Sequence, residues 1–223
     1  MTALPEDLKN IAMKTPNISA AVVCPDQETV LSAVKEAKDI NLINPTLIGD
    51  KNLIAETAIK LNLDIKDYNI IETSDREESA AVACQMASEN KIKIIIKGNL
   101  HTDILMRFYL KKEFSLIEGK RLSHIWHMTA PELKKPLFIT DGALNVLPRV
   151  EIKLQILKNA VQFCNKLNIS KPKVAILSGT EDPIDSMPSS IEAKKVMEQA
   201  HEEKINAFIH GPLAFDNAVS EQA

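Results

Sequence analysis

The sequence holds only three cysteines, Cys24, Cys84 and Cys164, set far apart and with no C-x-x-C pair. That excludes a disulfide framework and a zinc ribbon, and leaves three reduced, mostly buried thiols as the expectation. The chain also lacks a basic stripe. Its net charge is -3, and its 27 Lys and Arg are spread along the length, so the phosphate-neutralising surface that strong nucleic-acid binding needs is missing. No apolar run approaches the roughly 20 residues that span a bilayer, and the opening MTALPEDLKN lacks the charged-then-apolar layout of a signal peptide. A cytoplasmic protein with neither nucleic acid nor membrane as partner is expected. The G-x-G-x-x-G fingerprint and the G-x-x-x-x-G-K-[ST] loop are absent, which argues against a nicotinamide enzyme and an NTPase. No repeat of fixed period and no low-complexity tract occurs.

What is present is an ordinary globular mixture, 45% hydrophobic and 26% charged over 223 residues, enough for one large domain or two small ones. Short β-branched runs alternate with stretches of helical period, the order of βαβ units around a parallel sheet. The expected strands are Ala20–Cys24, Thr46–Ile48, Asn69–Ile71, Ile92–Ile96, Ser123–His127, Leu137–Thr140, Val174–Leu177 and Ala207–Ile209. The expected helices are Thr29–Ala37, Leu53–Lys60, Glu77–Asn90, Ile104–Lys111, Glu151–Leu167 and Ile191–Glu203. Ile92, Ile94, Ile95 and Ile96 are apolar at both parities, which predicts a strand covered on both faces. Ligands of such sheets bind beyond the carboxyl ends of the strands. Two prolines and two lysines in Thr129–Pro136 mark either a boundary, giving domains 1–128 and 129–223, or a surface hairpin inside one domain.

Four junctions that follow strands carry polar residues. In the first, Lys97-Gly98-Asn99-Leu100-His101-Thr102-Asp103 with Arg107 beyond, a glycine permits close backbone approach, a helix start favours an anion, and Lys97 and Arg107 add positive charge. The plain alternative is that Thr102 or Asp103 caps the helix, with Asp103 and Arg107 forming an i,i+4 ion pair. In the second junction Asp141, Gly142 and Asn145 fit a ligand contact or an Asx turn. The third joins Ser178-Gly179-Thr180 to Met187-Pro188-Ser189-Ser190, where serines suit helix caps and phosphate donors equally. The fourth is Gly211-Pro212-Leu213-Ala214-Phe215-Asp216-Asn217-Ala218, a rigid turn followed by Asp216 and Asn217, either aimed at a cleft or capping a last helix. His124 and His127 do not make a metal site, because residues three apart on a strand point to opposite faces and no carboxylate of ligand spacing accompanies them.

Taken in order, the motifs Ala20-Ala21-Val22-Val23-Cys24-Pro25-Asp26, Pro45-Thr46-Leu47-Ile48-Gly49-Asp50, Lys97 to Asp103, Arg121-Leu122-Ser123-His124, Pro136 to Asn145, Val174 to Ser178, Met187 to Ser190 and Gly211 to Ala218 resemble the phosphate acetyl/butyryltransferase family. They are most similar to the transferase part of proteins in which it follows an enoyl-CoA hydratase-like module. The resemblance implies an α/β protein of two α/β/α lobes with mainly parallel sheets, of the isocitrate/isopropylmalate dehydrogenase type, working as a homodimer with its active site in the cleft. It implies transfer of an acetyl or butyryl group between CoA and inorganic phosphate, with no cofactor, CoA being a substrate. Direct attack of the CoA thiolate on an acyl phosphate, helped by a carboxylate base and by cations on the phosphate, is the chemistry so implied.

On that resemblance the candidate substrate- and CoA-binding residues are Lys97, Gly98, His101, Thr102, Asp103, Arg107, Asp141, Asn145, Ser178, Ser189, Asp216 and Asn217. The family's Ser-Arg and acidic segment, which carries its base, lies beyond Ala223, so no catalytic residue is assigned, and a catalytically impaired CoA- and phosphate-binding remnant is the alternative expectation. Gly142 stands where alanine is common and Arg149 where an acidic residue is often seen. A metal-dependent oxidoreductase of the same broad fold finds no aspartate pairs or arginine clusters here.

Overall fold

A computed structural model describes residues 5–117, 119–129 and 135–220. The chain divides into two compact units, Met1–Glu118 and Gly119–Ala223.

In the first unit β1 (Ile18–Val23) lies between β2 (Ile43–Gly49) and β4 (Ile94–Lys97), with β3 (Asn69–Glu72) outside β2, all parallel in the order β3-β2-β1-β4. Ala20, Ala21, Val22 and Val23 are fully buried, and their two parities face opposite layers, as the period of two requires. Ala20 and Val22 pack with Leu31 and Val34 of α2 (Glu28–Asp39) and with Ile54 and Ala58 of α3 (Lys51–Lys60). Ala21 and Val23 pack with Ala80 and Ala83 of α4 (Arg76–Ser88) and with Leu105 and Phe108 of α5 (Thr102–Tyr109). A short α1 (Glu6–Ala12) precedes the sheet.

Side-chain caps fix two helix starts. Asp50 accepts from the N–H groups of Asn52 and Leu53, and Asp75 accepts from Glu78 N–H while Glu78 reaches back to Ser74 N–H, a reciprocal cap. Helix ends use asparagine in a chain poor in glycine. Asn41, Asn62, Asn90 and Asn168 have φ between 50° and 63°, and the next residue donates to the carbonyl five positions back, as in Leu63 N–H to Ala58 C=O at 2.9 Å.

The second unit holds two two-stranded sheets. In one, β7 (Lys173–Leu177) runs parallel to β8 (Phe208–Leu213), covered by α6 (Val150–Lys166) and α7 (Pro188–Glu202) through Leu154, Leu157, Val161, Val196, Ala200 and Ile209. In the other, β5 (Trp126–Met128) and β6 (Leu137–Ile139) pair antiparallel. A short α8 (Phe215–Val219) ends the described chain.

The isoleucine-rich strand is packed on both faces, Ile96 against the α2–α3 layer and Ile95 against the α4–α5 layer, but among the described residues it is the edge of its sheet, and Ile94 is 38% exposed. One expectation is corrected. The strand expected at Ser123–His127 starts only at Trp126, so His124 lies outside it, and it is antiparallel. Strands β5 and β6 pair across residues 128/129, where the expected boundary was drawn, and residues 130–134 beside it fall outside the described residues.

Candidate functional site

The junction after β4 folds onto the end of β1. Gly98 N–H donates to Val23 C=O and Asn99 N–H to Cys24 C=O, both at 2.8 Å. A Cβ on Gly98 would sit 2.3 Å from Cys24 O and 2.6 Å from Val23 O, so glycine is required there by the neighbouring strand, not by a ligand. Lys97 turns its ammonium onto the carbonyls of Leu100, at 3.0 Å, and Gly98. His101 occupies the N-cap of α5 without a capping hydrogen bond, and the side chains of His101, Thr102 and Asp103 are exposed at the helix start. Neither Thr102 nor Asp103 is the cap, and Arg107 pairs not with Asp103 but with Glu77 of α4, Nη2 to Oε1 at 2.7 Å.

Beside this junction, at the carboxyl ends of β1, β2 and β3, lies a hollow of about 230 Å³ lined by Cys24, Asp26, Asp50, Thr73, Asp75, Arg76 and Ser79 among others. Thr73 and Ser79 hydroxyls meet at 2.6 Å. Asn99 reaches Asp26 Oδ2, while Asp26 Oδ1 is buried without a partner among the described residues. Burial pushes the Cys24 thiol up despite its hydrogen bond with Ser79. Cys24, Asp26 and Asp50 stand in motifs quoted from the sequence without being candidates for the site, and Thr73, Asp75, Arg76 and Ser79 were not singled out at all; position directly after strands was the available signal.

In the second unit the junction after β6 is a dense polar knot. Asp141 accepts from Ala143 N–H, Leu144 N–H, His124 N–H and Asn145 Nδ2. Burial alone would raise its pKa, but these donors outweigh it and hold the carboxyl at about 2. Asn145 is 8% exposed; its amide N–H also donates to Leu122 C=O, and its Oδ1 accepts from Arg121 Nε at 2.6 Å. His124 Nδ1 is buried with no partner among the described residues.

The junctions after β7 and β8 come together because the two strands are parallel neighbours. Ser178 N–H donates to Leu213 C=O, and Gly211 lets the strands approach, since a Cβ there would lie 2.7 Å from Ile176 Cβ. Ser178 and Ser189 hydroxyls are 2.9 Å apart at the start of α7. Helix α7 has no side-chain cap; buried Ser190 instead ties the preceding loop down, its Oγ donating to Met187 C=O and accepting from Ile184 N–H. Glu181, missed in the sequence, accepts from Ala214 N–H and from Asn217 Nδ2, and these donors lower its pKa. Ala214, not Asp216, is the N-cap of α8, and Asp216 is exposed in its first turn. Ser178, Ser189 and Asn217 are thus gathered at one end of this sheet, whereas Asp141 and Asn145 form a separate cluster.

Polar groups collected after the strands of predominantly parallel sheets, with helices between, define an α/β protein whose polar clusters lie where ligands of such sheets bind. The family model described as "Phosphate acetyl/butaryl transferase" matches residues 76–223. The phosphate acetyltransferase of Rickettsia felis is 37% identical over 206 residues, covering 91% of this chain and 59% of that protein. The phosphate butyryltransferase of Clostridium beijerinckii is 33% identical over 219 residues, covering 98% of this chain and 72% of its own length. Among solved structures, a branched-chain phosphotransacylase from Enterococcus faecalis superposes with a TM-score of 0.74 at 27% identity, over 92% of this chain and 71% of that one. The chain belongs to the phosphate acetyl/butyryltransferase family. It spans about 59% of the length of the Rickettsia relatives.

Proposed function

We propose that the chain takes part in acyl transfer between CoA and inorganic phosphate, acetyl-CoA or butyryl-CoA plus phosphate giving the acyl phosphate and CoA. The supporting observation is that the family's motifs fall in this chain at the carboxyl ends of strands, where ligands of such sheets bind. Relatives of both names match, and the acyl group is accordingly acetyl or butyryl. In the acyl-phosphate-consuming direction of this reversible reaction the thiol proton passes to a base, the thiolate sulfur forms a bond to the acyl carbon as the carbon–oxygen bond to phosphate breaks, and phosphate leaves with the electron pair. The Ser178–Ser189 hydroxyl pair at the start of α7 suits phosphate oxygens. Lys97 and Arg107 are less suited than their charge suggested, being engaged with carbonyls and with Glu77. CoA enters as a substrate and no further cofactor is invoked.

The same reading includes a homodimer in the cytoplasm. Trp126, Met128, Leu137 and Ile139 occupy paired positions on one face of the β5–β6 ribbon, and Trp126 is 55% exposed; a two-stranded ribbon with an open apolar face gains stability by pairing. Three free, buried cysteines suit a reducing compartment. A coupled assay tests the activity: acetyl-CoA or butyryl-CoA with phosphate should release free thiol, and no release above background with either rejects it.

A further inference from the structure

Arg121 is held at three points and leaves its charge unanswered. Its backbone N–H donates to Gln155 Oε1 and its carbonyl accepts from Asn159 Nδ2, both side chains on α6. Its Nε donates to Asn145 Oδ1 at 2.6 Å. That acceptor is a neutral amide, so it orients the guanidinium without neutralising it. The amide cannot turn over, because its other end donates to Leu122 C=O and to Asp141 Oδ2. Asp141, kept ionised by four donors, anchors the arrangement. Among the described residues no carboxylate pairs with Arg121, and its two terminal nitrogens are without partners. Arg107 shows the contrast: it too is exposed to solvent, but it is closed by Glu77.

A guanidinium fixed through Nε and the backbone presents its two terminal N–H groups as a planar fork, the geometry that meets two oxygens of a phosphoryl group with little ordering cost. We propose that Arg121 is a phosphoryl-oxygen-binding residue, and that Asn145 and Asp141, expected from sequence to touch the ligand, are positioning residues that act through it. The choice of a phosphoryl group as the anion rests on the acyl-transfer reading above. Such oxygens come from inorganic or acyl phosphate or from the phosphates of CoA.

Calorimetric titration of the full chain with inorganic phosphate, CoA and dephospho-CoA tests this, using wild type, Arg121→Lys, Arg121→Gln and Asn145→Ala. Loss of a charge-assisted fork should weaken binding by about tenfold to a hundredfold in Arg121→Gln, less in Arg121→Lys, with the melting temperature nearly unchanged. Asn145→Ala should weaken binding in the wild-type background but add nothing in the Arg121→Gln background, which loss of structure alone would not reproduce. A penalty on inorganic phosphate assigns the fork to the transferred group; a penalty on CoA that vanishes with dephospho-CoA assigns it to the 3′-phosphate. Unchanged affinities for all three in Arg121→Gln, or a wild type that binds none, overturns the proposal. Turnover measured alongside keeps the two readings apart: transfer that persists with unaltered KM values in Arg121→Gln sinks this inference alone, while phosphate binding through Arg121 without turnover sinks only the transferase reading.

Discussion

The two units reach stability by different means. The first is built on burial, with Leu31, Leu47, Ile48 and Ile54 at 0% exposure around the inner residues of β1, Ala20–Val23, which see no solvent. In the second, β7 is half-buried, and Trp126, Val146, Leu147 and Phe208 are largely exposed, Val146 and Leu147 at 88% and 92%. Its order at the junction after β6 comes instead from hydrogen bonds converging on Asp141. The polar chemistry differs accordingly. In the first unit Lys97 and Arg107 are engaged by local partners, whereas in the second a buried amide holds an arginine and leaves its charge free. Positive charge beside a strand end is therefore a poor guide to a ligand until its partners are known.

The largest effect expected from breaking this contrast is in the first unit. Gly98→Ala drives a Cβ onto two backbone carbonyls that cannot move without shifting β1, and the cost should be on the order of 3 kcal/mol, read by denaturant unfolding. A near-neutral result would mean that the junction is not held against β1. Next comes Asp141→Ala, which strips four donors of their acceptor and should destabilise the second unit by about 2–3 kcal/mol. The pH dependence has a definite sign. Because the Asp141 pKa is depressed to about 2 in the folded chain, its stabilisation is complete above the unfolded carboxylate value of about 4 and is lost as pH falls between the two. Acid titration followed by Trp126 fluorescence should show a transition in that window, absent in Asp141→Ala.

Smaller effects sharpen the picture. Arg107→Ala removes an ion pair whose partners are both 56% exposed, so the loss should stay below about 1 kcal/mol, with phosphate and CoA binding unchanged. A clear loss of binding would restore Arg107 as a ligand residue. Gly142→Ala is the mildest: the added methyl meets nothing within 4 Å and the backbone is not left-handed, so a gain of roughly 0.4–1 kcal/mol in thermal melts is expected.

Much of the fold was legible. β1, β2, β3 and β7 and the six longer helices stand where alternating patterns put them, because burial on a sheet or along a helix face writes its period into the sequence. The failures have physical causes. The run around Ile94 has the composition of a central strand, yet composition does not say how many neighbours a strand has, and β4 has one. Strands were expected at both β5 and β6, but not their antiparallel pairing, because three-residue strands carry too little alternation to fix direction. At the site, the positions of Asp141 and Asn145 were read from their motif, but not their role. That role depends on Arg121, 24 positions from Asn145 in sequence and joined to it only by the fold. Likewise Glu77 captures Arg107 across 30 positions, where a local pair with Asp103 had looked sufficient.

Native-state hydrogen exchange tests the contrast between the units most directly, since protection follows burial and contact density. Amides of Ala20–Val23 and of Leu47 and Ile48, at the buried centre of the first sheet, should exchange only with unfolding of the first unit. Those of Val174–Leu177 and Phe208–Leu213, in a half-buried pair of strands, should exchange faster. Equal protection of the two sheets, or slower exchange in the second, would contradict the account.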